Sequence, residues 1–321
     1  MIDFRYHLVS LISVFLALAV GIVLGAGPLR EGIGESLTGQ VEALRADRDA
    51  LRTELEAAIV DVNDRDAWIG AMGEQAAAGR LDGRTVAVVA LPGADDGDVA
   101  AVVDSLGVAG AQVSAAARLT DAWTTTDPTF RQTFAQQLAG YLDPAPAADA
   151  SPEEVMALAL AQTLRDWASA DNPNPAILLE LLRGGDQPFI TLQDDPTSAV
   201  GSVVVVGPRP VPEAAEASPS PTAEPELDAA AIVGAVVGTL PTVTIGASDD
   251  LILQIREAGL PTSTIDSIGE VPATVSVPFA LAAELGGQHG RYGFAASANR
   301  PVPPLVDLAA PVEVPAGEDQ G

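Results

Sequence analysis

The stretch that decides the fold is residues 84–119, RTVAVVALPGADDGDVAAVVDSLGVAGAQVSAAARL. The run TVAVVAL is continuously apolar, which is typical of a buried strand, and PGADDGD has the composition of a turn followed by a helix start. VAAVVDSLGVAGA then has the periodicity of a helix that ends near glycine, and QVSAAARL is typical of a second strand. The stretch therefore predicts a β-α-β unit.

The same alternation recurs towards the C-terminus. Strands are predicted in FITLQ, SVVVVG, TVTIGAS and TSTIDSI, and helices in AAAIVGAVVGTL and LILQIREAGL. Between the early and late strands, apolar periodicity in TFRQTFAQQLAGYL, EEVMALALAQTLRDWA and AILLELLR predicts a helical layer. Strands that alternate with helices favour a parallel sheet covered on both faces. We expect an α/β domain over residues 84–310, with a doubly wound, mostly parallel, Rossmann-like sheet and extra helices.

Two segments are too rich in proline and polar residues to bury a core. Residues 208–226, PRPVPEAAEASPSPTAEPE, contain six prolines in 19 residues, and we expect a disordered insert in the sheet domain. Residues 311–321, PVEVPAGEDQG, are expected to be a flexible tail.

The N-terminus predicts a membrane anchor. Residues 8–27, LVSLISVFLALAVGIVLGAG, carry no charge, and about 20 apolar residues in a helix span the bilayer core of about 30 Å. A cleaved signal peptide is the alternative, since Gly25, Ala26 and Gly27 are small, but the run is longer than an h-region of about 7 to 15 residues. A short tail at residues 1–7 and a long acidic remainder favour a single-pass protein with its bulk outside the cytoplasm.

Residues 34–78 predict a long helix with the spacing of a coiled coil. Positions spaced alternately by four and three residues form the seam, which consists of Leu37, Val41, Leu44, Arg48, Leu51, Leu55, Ala58, Val62, Arg65 and Ile69. The two arginines either limit the pairing to short stretches or fix its register and partner. A homo-oligomer or a coiled-coil protein partner would cover this seam. The alternative is a lone amphipathic helix lying on the soluble domain.

Composition argues against several function classes. With 44 acidic and 16 basic side chains the net charge is −28, which disfavours a nucleic-acid partner. The chain has no cysteine, only the histidines His7 and His289, and three scattered methionines, so we predict no metal site.

The turn after the first strand lacks the features of a cofactor site. It has no glycine-rich phosphate fingerprint, and the carboxylates of Asp95, Asp96 and Asp98 would repel a phosphate. We expect these acids to cap the following helix instead. No Ser/His/Asp set or nucleophile elbow is present, so we predict neither an enzyme nor a bound cofactor.

One loop differs from its surroundings. Residues 286–300, GGQHGRYGFAASANR, place glycines around a histidine, an arginine and a tyrosine. We expect a closing loop in which Tyr292 packs and His289 makes one hydrogen bond, with a binding site as the alternative.

Both ends of the chain resemble one family. The opening MIDFRYHLVSLISVFLALAVGIVLGAG resembles the N-terminus of the actinobacterial copper transport family MctB. In GGQHGRYGFAASANRPVPP, the run at His289, Gly290, Tyr292 and Gly293 before a proline-rich stretch is similar to the family's C-terminal signature. The resemblance implies an actinobacterial membrane protein with a role in copper efflux and copper homeostasis, and it alone implies copper as a partner.

The anchor limits how transport could occur. One helix forms a pore only as an oligomer, and no ionisable residue lies between Leu8 and Gly27 to line one. The first hypothesis is therefore a copper transporter that assembles with itself or with other envelope proteins. The second is an anchored coiled-coil scaffold that recruits or regulates a partner such as a septal cell-wall hydrolase.

Overall fold

The computed structural model describes residues 4–26, 28–169, 171–192, 194–210, 227–248 and 251–308, and side chains outside residues 24–37. The chain divides into two compact units, Met1–Arg65 and Asp66–Gly321. The segment predicted as a disordered insert, beyond Pro210, and the predicted tail at 311–321 lie outside the described residues.

The first unit consists of helix. Helix α1 spans Phe4–Ala26, and helix α2 begins at Pro28 and runs for 50 residues to Ala77. The span Phe4–Val23 has a mean hydropathy of 2.3, and none of it is buried. By length and composition, α1 can therefore cross a membrane, as the sequence predicts. Helix α2 starts six residues before the predicted residue 34, at Pro28, and proline is favourable in the first turn of a helix.

The second unit contains a seven-stranded sheet within the described ranges. Its strands are β1 Thr85–Ala90, β2 Gln112–Leu119, β3 Ile190–Leu192, β4 Ser202–Val206, β5 Thr242–Ile245, β6 Ser263–Ile265 and β7 Arg291–Tyr292. The order is β3-β2-β1-β4-β5-β6-β7, and all neighbours are parallel except β2 and β3. The chain therefore adds β2 and β3 on one side of β1 and then crosses to the other side of β1, where β4 pairs with it.

Helices cover both faces of this sheet. They are α3 Asp96–Val108, α4 Ala122–Thr125, α5 Pro128–Ala139, α6 Pro152–Arg165, α7 Asn174–Arg183, α8 Ala229–Val237, α9 Leu251–Glu257 and α10 Val271–Leu285. Alternate side chains of β1 enter different cores, because successive residues of a strand point to opposite faces. Val86 and Val88 pack with α3 and α10, whereas Ala87 and Val89 pack with α5 to α9. The predicted mostly parallel α/β sheet is confirmed.

The C-terminal region differs from the sequence prediction. TSTIDSI is not the final strand, because β7 lies inside the segment that was predicted to be a loop, and α10 was not predicted. Strand β7 has only two residues, too few for a periodic pattern. Helix α10 carries Pro272 in its first turn and Pro278 inside it, and proline normally indicates a break.

The end of α2 belongs to the second unit, which begins at Asp66. Ala77 is only 3% exposed, and Gly70 and Gly73 face α10. A Cβ atom built on Gly73 would lie 2.4 Å from Cγ1 of Val275, and one on Gly70 would lie 3.8 Å from Cγ1 of Val271. The close approach of the two helices therefore depends on the missing side chain at Gly73.

We expect Gly73→Ala to destabilise the second unit relative to Gly70→Ala by about 1–3 kcal/mol, the usual cost of overpacking. Both changes gain the same helix propensity, of about 1 kcal/mol, so their difference isolates the contact with Val275. Urea denaturation of the full-length chain in detergent, followed by tryptophan fluorescence, measures it. Equal midpoints for the two variants would show that the helices separate without cost.

Candidate functional site

The carboxyl edge of the parallel strands is where ligands bind in many open α/β sheets, at the point where the strand order reverses. Here that point lies between β1 and β4. The loop after β1 leads to Asp95, whose side chain accepts hydrogen bonds from the backbone N–H groups of Gly97 and Asp98. Asp95 therefore caps α3, as the sequence predicts.

A second acid of this turn is paired rather than available. The buried carboxylate of Asp98 accepts two hydrogen bonds from Arg209, at 2.7 Å from Nε and 2.9 Å from Nη2. The hydrogen bonds to Asp98 and the nearby charges of Asp98 and Asp95 raise the pKa of Arg209. Gly269 has φ +90°, and a Cβ atom on it would lie 3.0 Å from Nε of Arg209. The half-exposed guanidinium of Arg209 therefore lies against Gly269 and is paired with the acids of this turn.

The third acid closes the other side of the turn. Arg118, near the end of β2, donates a hydrogen bond to the carbonyl of Ala94 at 2.8 Å and pairs with Asp96. Beside this pair lies an open cavity of about 580 Å³ between α3 and the β2–β3 edge, lined by small apolar side chains such as Ala100 and Val103. All three predicted capping acids thus have arginine partners, Asp95 and Asp98 with Arg209 and Asp96 with Arg118, which sequence analysis did not identify.

A buried ion pair lies further along the same edge. Nη1 of Arg256, on α9, is 3.1 Å from Oδ2 of Asp266, which follows β6, and the two side chains are 2% and 0% exposed. Burial lowers the pKa of Arg256, and its hydrogen bond to Asp266 opposes that shift. Arg256 also donates to the Thr264 hydroxyl at 2.9 Å and to the Tyr292 carbonyl at 3.0 Å. These hydrogen bonds connect the ion pair to β6 and β7, so the pair has a structural role.

The C-terminal loop seals this pair. Asp266 accepts hydrogen bonds from the backbone N–H groups of Phe294, at 2.7 Å, and Ala295, at 3.3 Å. Gly293 has φ +122°, and a Cβ atom there would lie 1.9 Å from Oδ1 of Asp266. A Cβ atom on Gly290 would lie 2.2 Å from the Tyr292 ring. The two glycines therefore let the loop approach the carboxylate and the tyrosine.

The other residues of this loop make structural contacts as well. Tyr292 is 3% exposed, and its burial raises its pKa. Nδ1 of His289 lies 2.9 Å from Oε1 of Glu284, whose Oε2 accepts a hydrogen bond from the Ser263 N–H at 2.9 Å. The predicted packing of Tyr292 and single hydrogen bond of His289 are observed.

Donors for a copper ion do not converge in the described part of the chain. It contains no group of three His, Cys, Asp or Glu side chains that could hold a metal ion. Met156 is fully buried, whereas Met72 is 45% exposed on α2. These residues offer no cluster of soft ligands.

The first unit exposes a row of apolar side chains along α2. On the predicted coiled-coil seam, five side chains are between 44% and 67% exposed: Val41, Leu44, Leu51, Leu55 and Val62. Arg48 pairs with Asp49 at 2.6 Å, and Arg65 pairs with Asp61 at 3.7 Å. Of the remaining seam residues, Ala58 is exposed, Ile69 is half-buried in the second unit, and the side chain of Leu37 is outside the described residues. The seam and α1 together form the candidate functional surface.

Comparison with known proteins identifies what this chain is similar to. Residues 1–303 match the sequence profile of the family described as "Copper transport outer membrane protein, MctB". The chain is also 39% identical over 127 residues to the copper transporter MctB of Mycobacterium bovis and to those of two strains of Mycobacterium tuberculosis. These alignments cover 37% of this chain and 38% of each relative, so the chain matches less than half the length of those proteins.

We expect Asp266→Asn to destabilise the second unit by about 3–5 kcal/mol, because it leaves the buried charge of Arg256 without its counter-ion. The matched control is Asp96→Asn, whose side chain is 95% exposed and whose loss should cost less than about 1 kcal/mol. Urea denaturation of both full-length variants gives the comparison. Similar midpoints would contradict a structural role for the buried pair.

A second expectation concerns the loop. Gly293→Ala should cost about 2 kcal/mol more than Gly287→Ala, because both have positive φ but only Gly293 meets a carboxylate. Gly287 has φ +73° and no atom within 4 Å of a built Cβ, which makes it the matched control. Limited proteolysis at Arg291 and Arg300, alongside thermal unfolding, should show the loop released in Gly293→Ala alone. Release in both variants, or in neither, would contradict this account of the loop.

Proposed function

Because the chain belongs to the MctB family of copper transport outer membrane proteins, we propose that it acts in copper efflux and copper homeostasis at the cell envelope. The observation that carries the proposal is the length of the family match, residues 1–303. It includes the apolar helix, α2, the sheet and the sealed C-terminal loop. Copper is the cargo in this proposal, and no catalytic reaction is assigned to the chain.

The proposal gives α1 the role of a single-pass anchor. Helix α1 is long and apolar enough to cross a bilayer, and its side chains from Phe4 to Val23 are exposed. With a short N-terminal tail inside, α2 and the second unit lie outside the cytoplasm. This orientation places the short N-terminal tail, which contains Arg5, inside and the acidic remainder of the chain outside.

A single helix of this composition conducts no ion alone. Residues 8–27 contain no ionisable side chain, and a polar path through lipid needs such groups or several helices. We therefore place the copper path at an assembly, formed by several copies or by this chain with another envelope protein. Helix α2, with its exposed coiled-coil spacing, is the element suited to form it.

The second unit has a supporting role in this proposal. Its strand order, with the reversal between β1 and β4, supports a doubly wound, Rossmann-like classification. At its carboxyl edge, Arg209 and Arg256 are both paired with protein carboxylates. We assign it no nucleotide and no bound copper.

Cells that lack the protein should accumulate copper and become copper-sensitive. The full chain should restore both properties, and a chain without residues 8–27 should restore neither, because it lacks the anchor. Cellular copper content by mass spectrometry and growth across a copper series are the two measurements.

A third complementing chain serves as the control, with residues 8–27 replaced by an unrelated apolar span of the same length. Rescue by this chain would show that α1 anchors without shaping the copper path, and failure would show that its own side chains contribute. If deletion leaves copper unchanged and instead disturbs division or envelope integrity, copper efflux is the wrong function.

A further inference from the structure

The face of α2 from Val41 to Val62 has the features of a binding surface for another helix. We propose that it binds a second copy of this chain in a parallel, in-register, two-stranded coiled coil. The inference deepens the proposed function and rests on its membrane anchor. The sequence pattern alone allows either self-association or a different protein as the partner of α2, and the observations below favour self-association.

The exposed apolar side chains follow the two seam positions of a heptad. With Val41 at the first seam position, called a, and Leu44 at the second, called d, the pattern continues through Leu51, Leu55 and Val62. Each of these side chains is at least 44% exposed. Ile59, at a position flanking the seam, is 51% exposed and widens the apolar strip. Long helices gain most of their stability by packing such a strip, which favours a helical partner.

The anchor fixes the direction of pairing between copies. Helix α1 ends at Ala26 and α2 begins at Pro28, so α2 starts directly at the membrane helix. Two copies inserted with the same orientation therefore present their α2 helices in the same direction and at the same height. An axial shift of one heptad, about 10 Å, would displace one anchor by a third of the bilayer core.

Opposite charges beside the seam face each other at one pair of positions in this arrangement, residues 47 and 52, whereas the pair at residues 61 and 66, near the end of the seam, brings two aspartates together. In a parallel coiled coil, the residue just before an a position faces the residue five positions later on the other helix. Asp47 of one copy then faces Arg52 of the second copy, and symmetry repeats the pair. In the single chain, Arg52 is 3.2 Å from Glu56, and both side chains are more than half exposed, so this pair can rearrange at little cost.

Arg48 explains why the register is specific. It occupies an a position, where it meets Arg48 of the second copy, and Asp47 of that copy lies beside it. A polar residue at one a position lowers the stability of the coiled coil but fixes its register and oligomeric state. In the single chain Arg48 is exposed and contacts Asp49 at 2.6 Å, so its guanidinium is free to turn along the surface.

Cysteine cross-linking tests the pairing, since the chain has no cysteine of its own. Leu44→Cys and Leu51→Cys, each in the full chain reconstituted in liposomes, should form disulfide dimers at least about tenfold faster than Thr53→Cys on the outer face. Diamide is the oxidant, so no copper is added. Cross-linking at neither position, at only one, or equally at Thr53→Cys would overturn the inference.

Charge reversal tests direction and register. In the Leu51→Cys background, Asp47→Arg and Arg52→Asp should each slow self-cross-linking by about 3- to 10-fold, because each homodimer then faces like charges at two places. Asp64→Arg, away from the seam, is the control and should change little. A mixture of the two slowed chains should form mixed dimers in preference to either homodimer, and a statistical mixture would overturn the parallel register.

These results are separable from those for copper. Normal copper rescue without cross-linking would reject the coiled-coil dimer and leave the proposed function in place. Cross-linking of the expected pattern in a chain that has no effect on copper would do the reverse. Adducts of Leu51→Cys with a different membrane protein, in place of the homodimer, would also reject the inference.

Discussion

The ion pair between Arg256 and Asp266 is the interaction around which the C-terminal half of the sheet is arranged. Both side chains are almost completely excluded from water, at 2% and 0% exposure, so each charge depends on the other. Asp266 also accepts a hydrogen bond from an N–H group of the C-terminal loop. Arg256 also donates hydrogen bonds to Thr264 of β6 and to Tyr292 of β7. Since an unpaired buried charge costs several kcal/mol, α9, β6 and the loop must form together.

That constraint explains the unusual composition of the C-terminal loop. Gly293 allows the chain to turn at φ +122° against Asp266, and Gly290 leaves room for the Tyr292 ring. The loop resembles a binding segment in sequence because it combines glycine with histidine, arginine and tyrosine. In the structure these residues form the last strand of the sheet and cover the buried Asp266. These structural roles also require particular residues, so the unusual composition does not by itself indicate a binding site.

Sequence reasoning identified the elements whose signal is local. Strand β2, Gln112–Leu119, matches its predicted bounds, and the apolar run of α1 and the capping role of Asp95 are visible in a few consecutive residues. It missed α10, because prolines interrupt its pattern, and β7, because two residues have no periodicity. It also missed the arginine–aspartate pairs of Arg118 with Asp96, Arg209 with Asp98 and Arg256 with Asp266. A single arginine in the sequence carries no information about which of 44 acids is its partner until the strands are placed in order.

The two units therefore differ in what their charges do. In the second unit, arginines at the carboxyl edge pair with carboxylates of the same chain. In the first unit, acids and arginines lie beside an apolar seam that nothing described covers, and Asp47 and Arg52 are complementary between two parallel helices. An uncovered surface of this kind is informative about a partner, whereas charges that are already paired within the chain are not. The physical case for assembly thus rests on α2, and the copper path that we propose is assigned to what α2 brings together rather than to the sheet domain.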